Sequence, residues 1–124
     1  MLARIKMKTI LVVDDIQEIA ECFAEELCEE GFHVLTAPSG RAALQLIEEG
    51  KRVDLILSDI QMPDGDGFWL LEQIMKSNRP IPVIMTSSGP RSNLDQAVKR
   101  EAAGAFVKPY RKEHFEVIFK WMKE

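Results

Sequence analysis

Reactive side chains follow four of the apolar runs in this sequence. They are Asp14 and Asp15 after residues 9–13, Asp59 after 53–58, Thr86 with Ser87 at the end of 81–86, and Lys108 after 105–107. Carboxylate oxygens bind hard cations such as Mg²⁺, and a carboxylate can also attack phosphorus as a nucleophile. A neighbouring ammonium group and hydroxyl would bind the oxygens of an incoming phosphoryl group. These residue types favour phosphoryl transfer onto an aspartate, provided that the fold brings them together.

The spacing of the apolar residues predicts alternating strands and helices. The strands are expected at 9–13, 32–37, 53–58, 81–86 and 105–107, and the helices at about 16–30, 41–49, 68–76, 92–102 and 112–123. Alternation of this kind predicts a parallel sheet with helices on both faces. Because the connections are short, we predict an α/β, flavodoxin-like, doubly wound (βα)5 fold whose five-stranded sheet has the order 2-1-3-4-5.

Two of the predicted helices show which side chains should point inward. The helix at 68–76 is expected to bury Leu70, Leu71, Ile74 and Met75. The helix at 92–102 has the weakest apolar pattern, and its expected inward residues are Leu94, Ala97 and Val98. A helix with so few large inward residues should pack loosely.

The predicted topology places the carboxyl ends of strands 1, 3, 4 and 5 along one edge of the sheet. Asp14, Asp15 and Asp59 would meet there, and three close carboxylates cannot all stay ionised without a cation. Oxygen ligands with room for water suit Mg²⁺. Each residue also has a structural alternative: the acidic pair could cap a helix, Ser87 could form a turn, and Lys108 could be a surface lysine. All four strand ends would then coincide by chance, so we favour one site.

The whole sequence is expected to form one domain over residues 1–124, with residues 1–8 as a disordered N-terminal extension. The net charge of −4 argues against a nucleic-acid surface. No apolar run approaches the length of a membrane span, and no signal peptide is visible. Cys22 and Cys28 lie six residues apart, off a shared helix face. We therefore expect free thiols and a cytoplasmic location.

Four segments together resemble the receiver domain of two-component response regulators, in particular its single-domain, chemotaxis-regulator-like members. They are Ile10-Leu11-Val12-Val13-Asp14-Asp15, Asp59-Ile60-Gln61-Met62-Pro63 with Gly67, Pro82-Val83-Ile84-Met85-Thr86-Ser87, and Phe106-Val107-Lys108-Pro109. Each segment is a weak signal alone. Together they cover essentially the whole chain and form a specific combination.

The resemblance implies a role for each acidic position. Asp59 matches the phosphoacceptor. Asp14 and Asp15 match the acidic pair that holds Mg²⁺, and Gln61 matches the position whose backbone carbonyl also ligates the metal. Lys108 matches the lysine that contacts the phosphoryl group.

The hydroxyl and the aromatic residue of the family's switch are harder to align. We predict Ser87 as the switch hydroxyl and Phe106 as the aromatic switch residue. Ser87 and Lys108 are 21 positions apart, one fewer than in the family pattern. Thr86 would restore the spacing and remains the alternative hydroxyl, although Ser87 better fits its position along the strand. The missing residue is expected within 101–105, which leaves Ala105 as the alternative to Phe106.

The resemblance also implies a function and partners. The chain would take a phosphoryl group from a histidine kinase or a histidine phosphotransfer protein in a Mg²⁺-dependent reaction. It would catalyse its own phosphorylation and dephosphorylation without being a conventional enzyme. The signal would change a face that binds a downstream protein target or an output domain, with no direct contact to nucleic acid or membrane.

Other functions fit the sequence less well. A non-phosphorylated pseudo-receiver that only docks to a partner would not need the intact set of Asp14, Asp15, Asp59 and Lys108. A hydrolase of the haloacid-dehalogenase kind would want an acid at position 61, where this chain has glutamine. A flavin carrier would need a hydroxyl-rich phosphate loop after the first strand, where the acidic pair would repel a phosphate.

Overall fold

A computed structural model describes residues 8–108 and Ile118. The elements are β1 (Thr9–Val13), α1 (Gln17–Glu29), β2 (His33–Ala37), α2 (Gly40–Glu48), β3 (Leu55–Asp59), α3 (Gly67–Lys76), β4 (Val83–Ser87), α4 (Arg91–Lys99) and β5 (Gly104–Val107). The predicted N-terminal extension lies outside the described residues except for Lys8. The predicted last helix also lies outside them except for Ile118, which is helical and fully buried.

The five described strands form one parallel sheet in the order β2-β1-β3-β4-β5, which confirms the predicted fold class. β1 lies between β2 and β3, so the chain reverses its direction of winding there. The connections after β1 and β3 leave toward opposite faces of the sheet. A crevice opens between them at the carboxyl ends of the strands, where ligands bind in folds of this type.

Two apolar clusters cover the two faces of the sheet. On one face, which we call the α4 face, Leu11 and Met85 pack against residues of α2, α3 and α4. On the other, which we call the α1 face, Val12 and Ile84 pack against Phe23 of α1. Successive side chains of a strand point to opposite faces. The face of each strand residue beyond the clusters therefore follows from its neighbours.

Several strand boundaries differ from the prediction by one or two residues, and those at the end of β3 and in β4 bear on the site. β3 ends on Asp59 itself, whereas the prediction ended this strand at residue 58. β4 spans Val83–Ser87 instead of 81–86. Pro82 has no N–H to donate to the sheet, so regular pairing begins only at Val83. Ser87 is consequently the last residue of β4.

Two predicted inward residues are wrong. Met75 is 56% exposed, because α3 already turns Leu70, Leu71 and Ile74 to the sheet and Met75 lies beyond that face. Val98 is 65% exposed, because α4 presents Ala97 to the sheet and the next residue is rotated by about 100° around the helix. The few buried residues expected for α4 are observed, since Ala97 is its one fully buried residue.

Candidate functional site

Three carboxylates meet at the carboxyl edge of the sheet. Asp14 follows β1, Asp59 ends β3, and the pairing of these two strands makes them neighbours. Together with Asp15 they offer one oxygen each within 4.8 Å of one another. Asp14 and Asp59 are buried, whereas Asp15 is exposed. The cluster therefore has two fixed acids inside and one at the solvent.

The fold fixes Asp14 with hydrogen bonds at both its backbone and its side chain. Its backbone N–H donates to the carbonyl of Ala37 at 3.1 Å, which continues the pairing of β1 with β2. Its Oδ1 accepts a hydrogen bond from the backbone N–H of Ile16 at 2.9 Å, just before α1 begins. The side chain thus satisfies a donor at the start of the helix and still presents Oδ2 to the cluster.

Lys108 joins the cluster from the end of β5. Its Nζ lies 2.7 Å from Oδ2 of Asp14 and 3.4 Å from Oδ2 of Asp59. Its backbone N–H donates to the carbonyl of Ser87 at 2.9 Å, so the pairing of β4 and β5 sets its position. One ammonium against three carboxylates leaves a net negative charge, and this donor set suits a divalent cation with oxygen ligands.

The environment of Asp59 shifts its acidity. Burial raises the pKa of the Asp59 carboxyl above its ordinary value, and the neighbouring charge of Asp14 adds to the rise. The ammonium of Lys108 and the backbone N–H of Ile60 oppose it. A cation bound beside this buried carboxyl would stabilise its ionised form and so lower its pKa.

The loop after Asp59 is held close to the cluster. The backbone N–H of Ile60 donates to Thr86 at 2.9 Å, and that of Gly67 donates to Ile60 at 2.8 Å. A Cβ at position 67 would lie 2.5 Å from the carbonyl oxygen of Asp59, so this close approach needs glycine. Gln61 lies in this loop, and it lines one cleft together with Asp15, Asp59, Ser88 and Lys108.

The two candidate hydroxyls point to opposite faces of the sheet. Ser87 continues the α4-face side of β4, two residues after Met85, and its Oγ accepts hydrogen bonds from Gly89 N at 2.9 Å and Asn93 Nδ2 at 3.4 Å. Thr86 lies on the α1 face, beside Asp59 in the strand register. Its Oγ1 is buried and has no hydrogen-bond partner among the residues that the structure describes. Both hydroxyls are therefore next to the site, in different surroundings.

Phe106 does not share a face with Ser87. It pairs with Thr86 in the register of β4 and β5 and packs in the apolar cluster of the α1 face. Ala105 packs against the cluster of the α4 face instead. Since neighbouring strand residues alternate between faces, the register of β5 against β4 decides which side chain faces α4. On the side of the sheet that Ser87 shares with α4, this chain has alanine.

Two features of the site were not identified from the sequence. One is the hydrogen bond from Asn93 to Ser87, which links α4 to the end of β4. The sequence signal that could have indicated this bond is a polar side chain in the first helical turn after the Gly89-Pro90 pair. The other is the short ion pair between Lys108 and Asp14, across 94 positions of the sequence. The shared position of these residues at the sheet edge predicted that Lys108 would lie near the acids. It did not predict that Lys108 would pair more closely with Asp14 than with Asp59.

The fold and the site together define a class of protein. It is a flavodoxin-like α/β domain in which three carboxylates that could hold a cation lie beside a lysine, at the switch point of the sheet. Residues 10–120 match the family described as the response regulator receiver domain. The chain belongs to this family. No helix in the described part of the chain is long and apolar enough to cross a membrane.

Curated relatives agree with this assignment. The two-component response regulator ARR10 of Arabidopsis thaliana is 34% identical over 112 residues, covering 89% of this chain and 20% of ARR10. The transcriptional regulatory protein CpxR of Klebsiella pneumoniae is 36% identical over 95 residues, covering 77% of this chain and 39% of CpxR. The chain thus spans only about a fifth to two fifths of the length of these proteins.

Solved structures show the same fold. The response regulator TrrA of Thermotoga maritima, solved in complex with Mg²⁺ and BeF, has a TM-score of 0.82 and 34% identity over 93% of this chain and 99% of that one. The chemotaxis response regulator CheY4 of Vibrio cholerae has a TM-score of 0.83 and 27% identity over 94% and 99%.

Proposed function

We propose that this chain is a signalling receiver that accepts a phosphoryl group on Asp59. The observation that carries the proposal is the position of this carboxyl at the end of β3, in one cluster with Asp14 and Asp15 and 3.4 Å from the ammonium of Lys108. An oxygen of Asp59 forms a bond to phosphorus while the bond from phosphorus to the donor nitrogen breaks. The donor nitrogen keeps the electron pair of that bond, so a phosphohistidine donor returns to neutral or protonated imidazole.

The surrounding residues would orient the phosphoryl group and balance its charge. Lys108 is close enough to pair with one oxygen, and the Ser87 hydroxyl would bind another after rotating toward Asp59. Asp14, Asp15 and Asp59, with the backbone carbonyl of Gln61, would hold Mg²⁺. When bound, the metal supplies positive charge that offsets the repulsion between the carboxylates and the phosphoryl oxygens.

The partners follow from the family. The donor is a histidine kinase or a histidine phosphotransfer protein in the cytoplasm, and the recipient of the signal is a downstream protein or an output domain. Hydrolysis of the aspartyl phosphate by the chain itself would end the signal. The curated relatives support this proposal because they are two-component response regulators and regulatory proteins much longer than the matched domain.

Intact-mass analysis with acetyl phosphate and Mg²⁺ tests the proposal. The wild-type chain is expected to gain one phosphoryl group that is stable in acid and labile in base, and Asp59→Asn is expected to gain none. Asp64→Asn is the matched control, because Asp64 is an exposed acid in the same loop, outside the carboxylate cluster. Labelling of Asp59→Asn would contradict the assignment of the acceptor. A folded wild type that takes up no label would favour the docking module.

A further inference from the structure

The hydroxyl of Ser87 is held on the α4 side of the sheet. Its Oγ accepts hydrogen bonds from the backbone N–H of Gly89 at 2.9 Å and from Nδ2 of Asn93 at 3.4 Å. These two bonds use both acceptor positions of the hydroxyl. Asp59 extends from β3 toward the other side of the sheet, on the α1 face. To reach a phosphoryl group on Asp59, the Ser87 side chain has to rotate away from Asn93.

Asn93 lies in the first turn of α4, a helix with few other attachments. Ala97 is its one fully buried residue, and its N-cap residue Pro90 supplies no side-chain cap. Among the described residues, the bond from Asn93 is the one side-chain hydrogen bond that joins α4 to the sheet. The α4 side of β5 has Ala105, whose methyl group has no rotamers to transmit a movement of Ser87 to the helix.

We infer that Asn93 is a positioning residue that holds Ser87 in its phosphoryl-free orientation and couples occupation of the Asp59 site to α4. The inference rests on the proposed function, since it requires a phosphoryl group on Asp59. When Ser87 turns to that group, the bond to Asn93 is lost or the first turn of α4 follows the hydroxyl. Either outcome changes the local stability of α4. In the phosphoryl-free chain the same bond competes with phosphoryl binding.

Gly89 offers an independent way to break this contact. A Cβ at position 89 would lie 2.8 Å from Nδ2 of Asn93, 3.0 Å from Oε1 of Gln61 and 3.3 Å from Oγ of Ser87. The first two atoms are ends of flexible side chains that can swing aside, and the Ser87 hydroxyl has to give by only a few tenths of an ångström. The φ of Gly89 is also outside the left-handed region, so alanine fits its backbone. Gly89→Ala should therefore displace the Asn93 amide while keeping the backbone donor to Ser87.

The test compares wild type, Asn93→Ala and Gly89→Ala by beryllofluoride titration with Mg²⁺ and by amide hydrogen exchange. Both variants are expected to bind beryllofluoride about two- to tenfold more tightly than wild type, the range of one hydrogen bond. Exchange of the α4 amides that are hydrogen-bonded within the helix should be faster than in wild type without ligand, and beryllofluoride should change it less. Ser92→Ala, an exposed neighbour in the same turn, is the control that should match wild type.

The outcomes separate this inference from the proposed function. Acetyl phosphate labelling of the same samples reports on Asp59 alone. If wild type takes up neither acetyl phosphate nor beryllofluoride, the proposed function fails and the coupling fails with it. If wild type is labelled, but Asn93→Ala matches it in beryllofluoride affinity and in α4 exchange, only the role of Asn93 is overturned.

Discussion

At the scale of residues, one lysine of the site contacts two buried acids at unequal distances. Lys108 lies 2.7 Å from Asp14 but 3.4 Å from Asp59. The acid that is held more tightly also anchors the start of α1 through Ile16. Asp59, the proposed nucleophile, is thus the less strongly paired of the two, and burial raises the pKa of its carboxyl.

Asp59→Asn should stabilise the metal-free protein at neutral pH. Burial raises the pKa of Asp59 in the folded state, so the folded chain holds this proton more tightly than the unfolded chain. The free-energy cost of ionising Asp59 in the folded chain is therefore absent below the unfolded pKa of about 3.9. This cost lowers the stability of the wild type as the pH rises through the folded pKa. Thermal unfolding in EDTA from about pH 4 to pH 8 should show the variant gaining its advantage across that range.

The same measurement on Asp64→Asn provides the control for this prediction. Asp64 has an exposed side chain and φ of 60°, a conformation that asparagine also tolerates. Its substitution should leave the pH dependence of unfolding unchanged. A lower stability of Asp59→Asn at neutral pH would mean that the ion pair with Lys108 outweighs the cost of burying the carboxylate.

Thr86→Val should also stabilise the chain. The variant keeps nearly the same side-chain volume and removes a buried Oγ1 that finds no hydrogen-bond partner within the described part of the chain. The expected gain in the free energy of unfolding is about 1 kcal/mol, measured by urea denaturation. If Ser87 is the hydroxyl that binds the phosphoryl group, Thr86→Val keeps its affinity for beryllofluoride while Ser87→Ala loses affinity. The opposite pattern would move that role to Thr86.

At the scale of elements, the loop after Asp59 is attached to α2. The backbone N–H of Gly40 donates to the carbonyl of Gly65 at 2.8 Å, and that of Arg41 donates to Asp64 at 3.3 Å. The guanidinium of Arg41 also lies 4.8 Å from the centre of the Trp69 ring, at the start of α3. Two unpaired donors of the first turn of α2 are thereby satisfied by the loop, which in turn is held in place.

Gly40→Ala should loosen this attachment. An added Cβ would lie 2.4 Å from the carbonyl oxygen of Gly65, and a backbone atom cannot move aside as a side chain can. We expect a loss of roughly 1–3 kcal/mol in the free energy of unfolding. Mg²⁺ affinity should also fall, because Gln61 belongs to the displaced loop. Chemical denaturation and a Mg²⁺ titration measure the two effects.

Ser39→Ala is the matched control for Gly40→Ala. It removes the hydrogen bond from Ala42 N to the Ser39 side chain at 3.1 Å, which caps the same helix, without touching the loop. It should cost about 1 kcal/mol and leave Mg²⁺ affinity unchanged. Equal losses of Mg²⁺ affinity in both variants would show that α2 itself, and not the contact with the loop, supports the metal site.

At the scale of the whole molecule, the packing of the helices is uneven. α1 buries Phe23 and Leu27 completely against the sheet, whereas α4 buries only Ala97 completely and exposes Val98. Val107 on the neighbouring β5 is also 45% exposed. The proposed change at α4 thus concerns a part of the described fold with little apolar burial.

Amide exchange of the unmodified chain should show this difference before any phosphoryl group is added. Amides in the middle of α1 are expected to exchange at least about tenfold more slowly than those of α4, since burying one large side chain contributes about 1.5–3 kcal/mol. α3 provides an internal reference, because it buries Leu70 and Ile74. Equal protection of α1 and α4 would remove the physical basis for placing the response at α4.

The sequence by itself determined the fold class and the set of reactive residues. Short apolar runs alternating with helical patterns leave few topologies, and in the predicted one Asp14, Asp59 and Lys108 must meet at one edge. This inference needed only the order of the elements and the position of each residue at a strand end. It was insensitive to an error of one or two residues in a boundary.

Only the tertiary structure decided which face each side chain takes. Strand side chains alternate with a period of two, and the register of β5 against β4 places Ala105 on the α4 face and Phe106 on the α1 face. The spacing from Ser87 to Lys108 left both of these β5 residues open as the aromatic switch position, because a spacing along the chain does not specify the register of a strand. The contact between Asn93 and Ser87 likewise depends on where α4 begins and how it lies on the sheet. Such contacts follow from packing in three dimensions, which no local pattern of residues specifies.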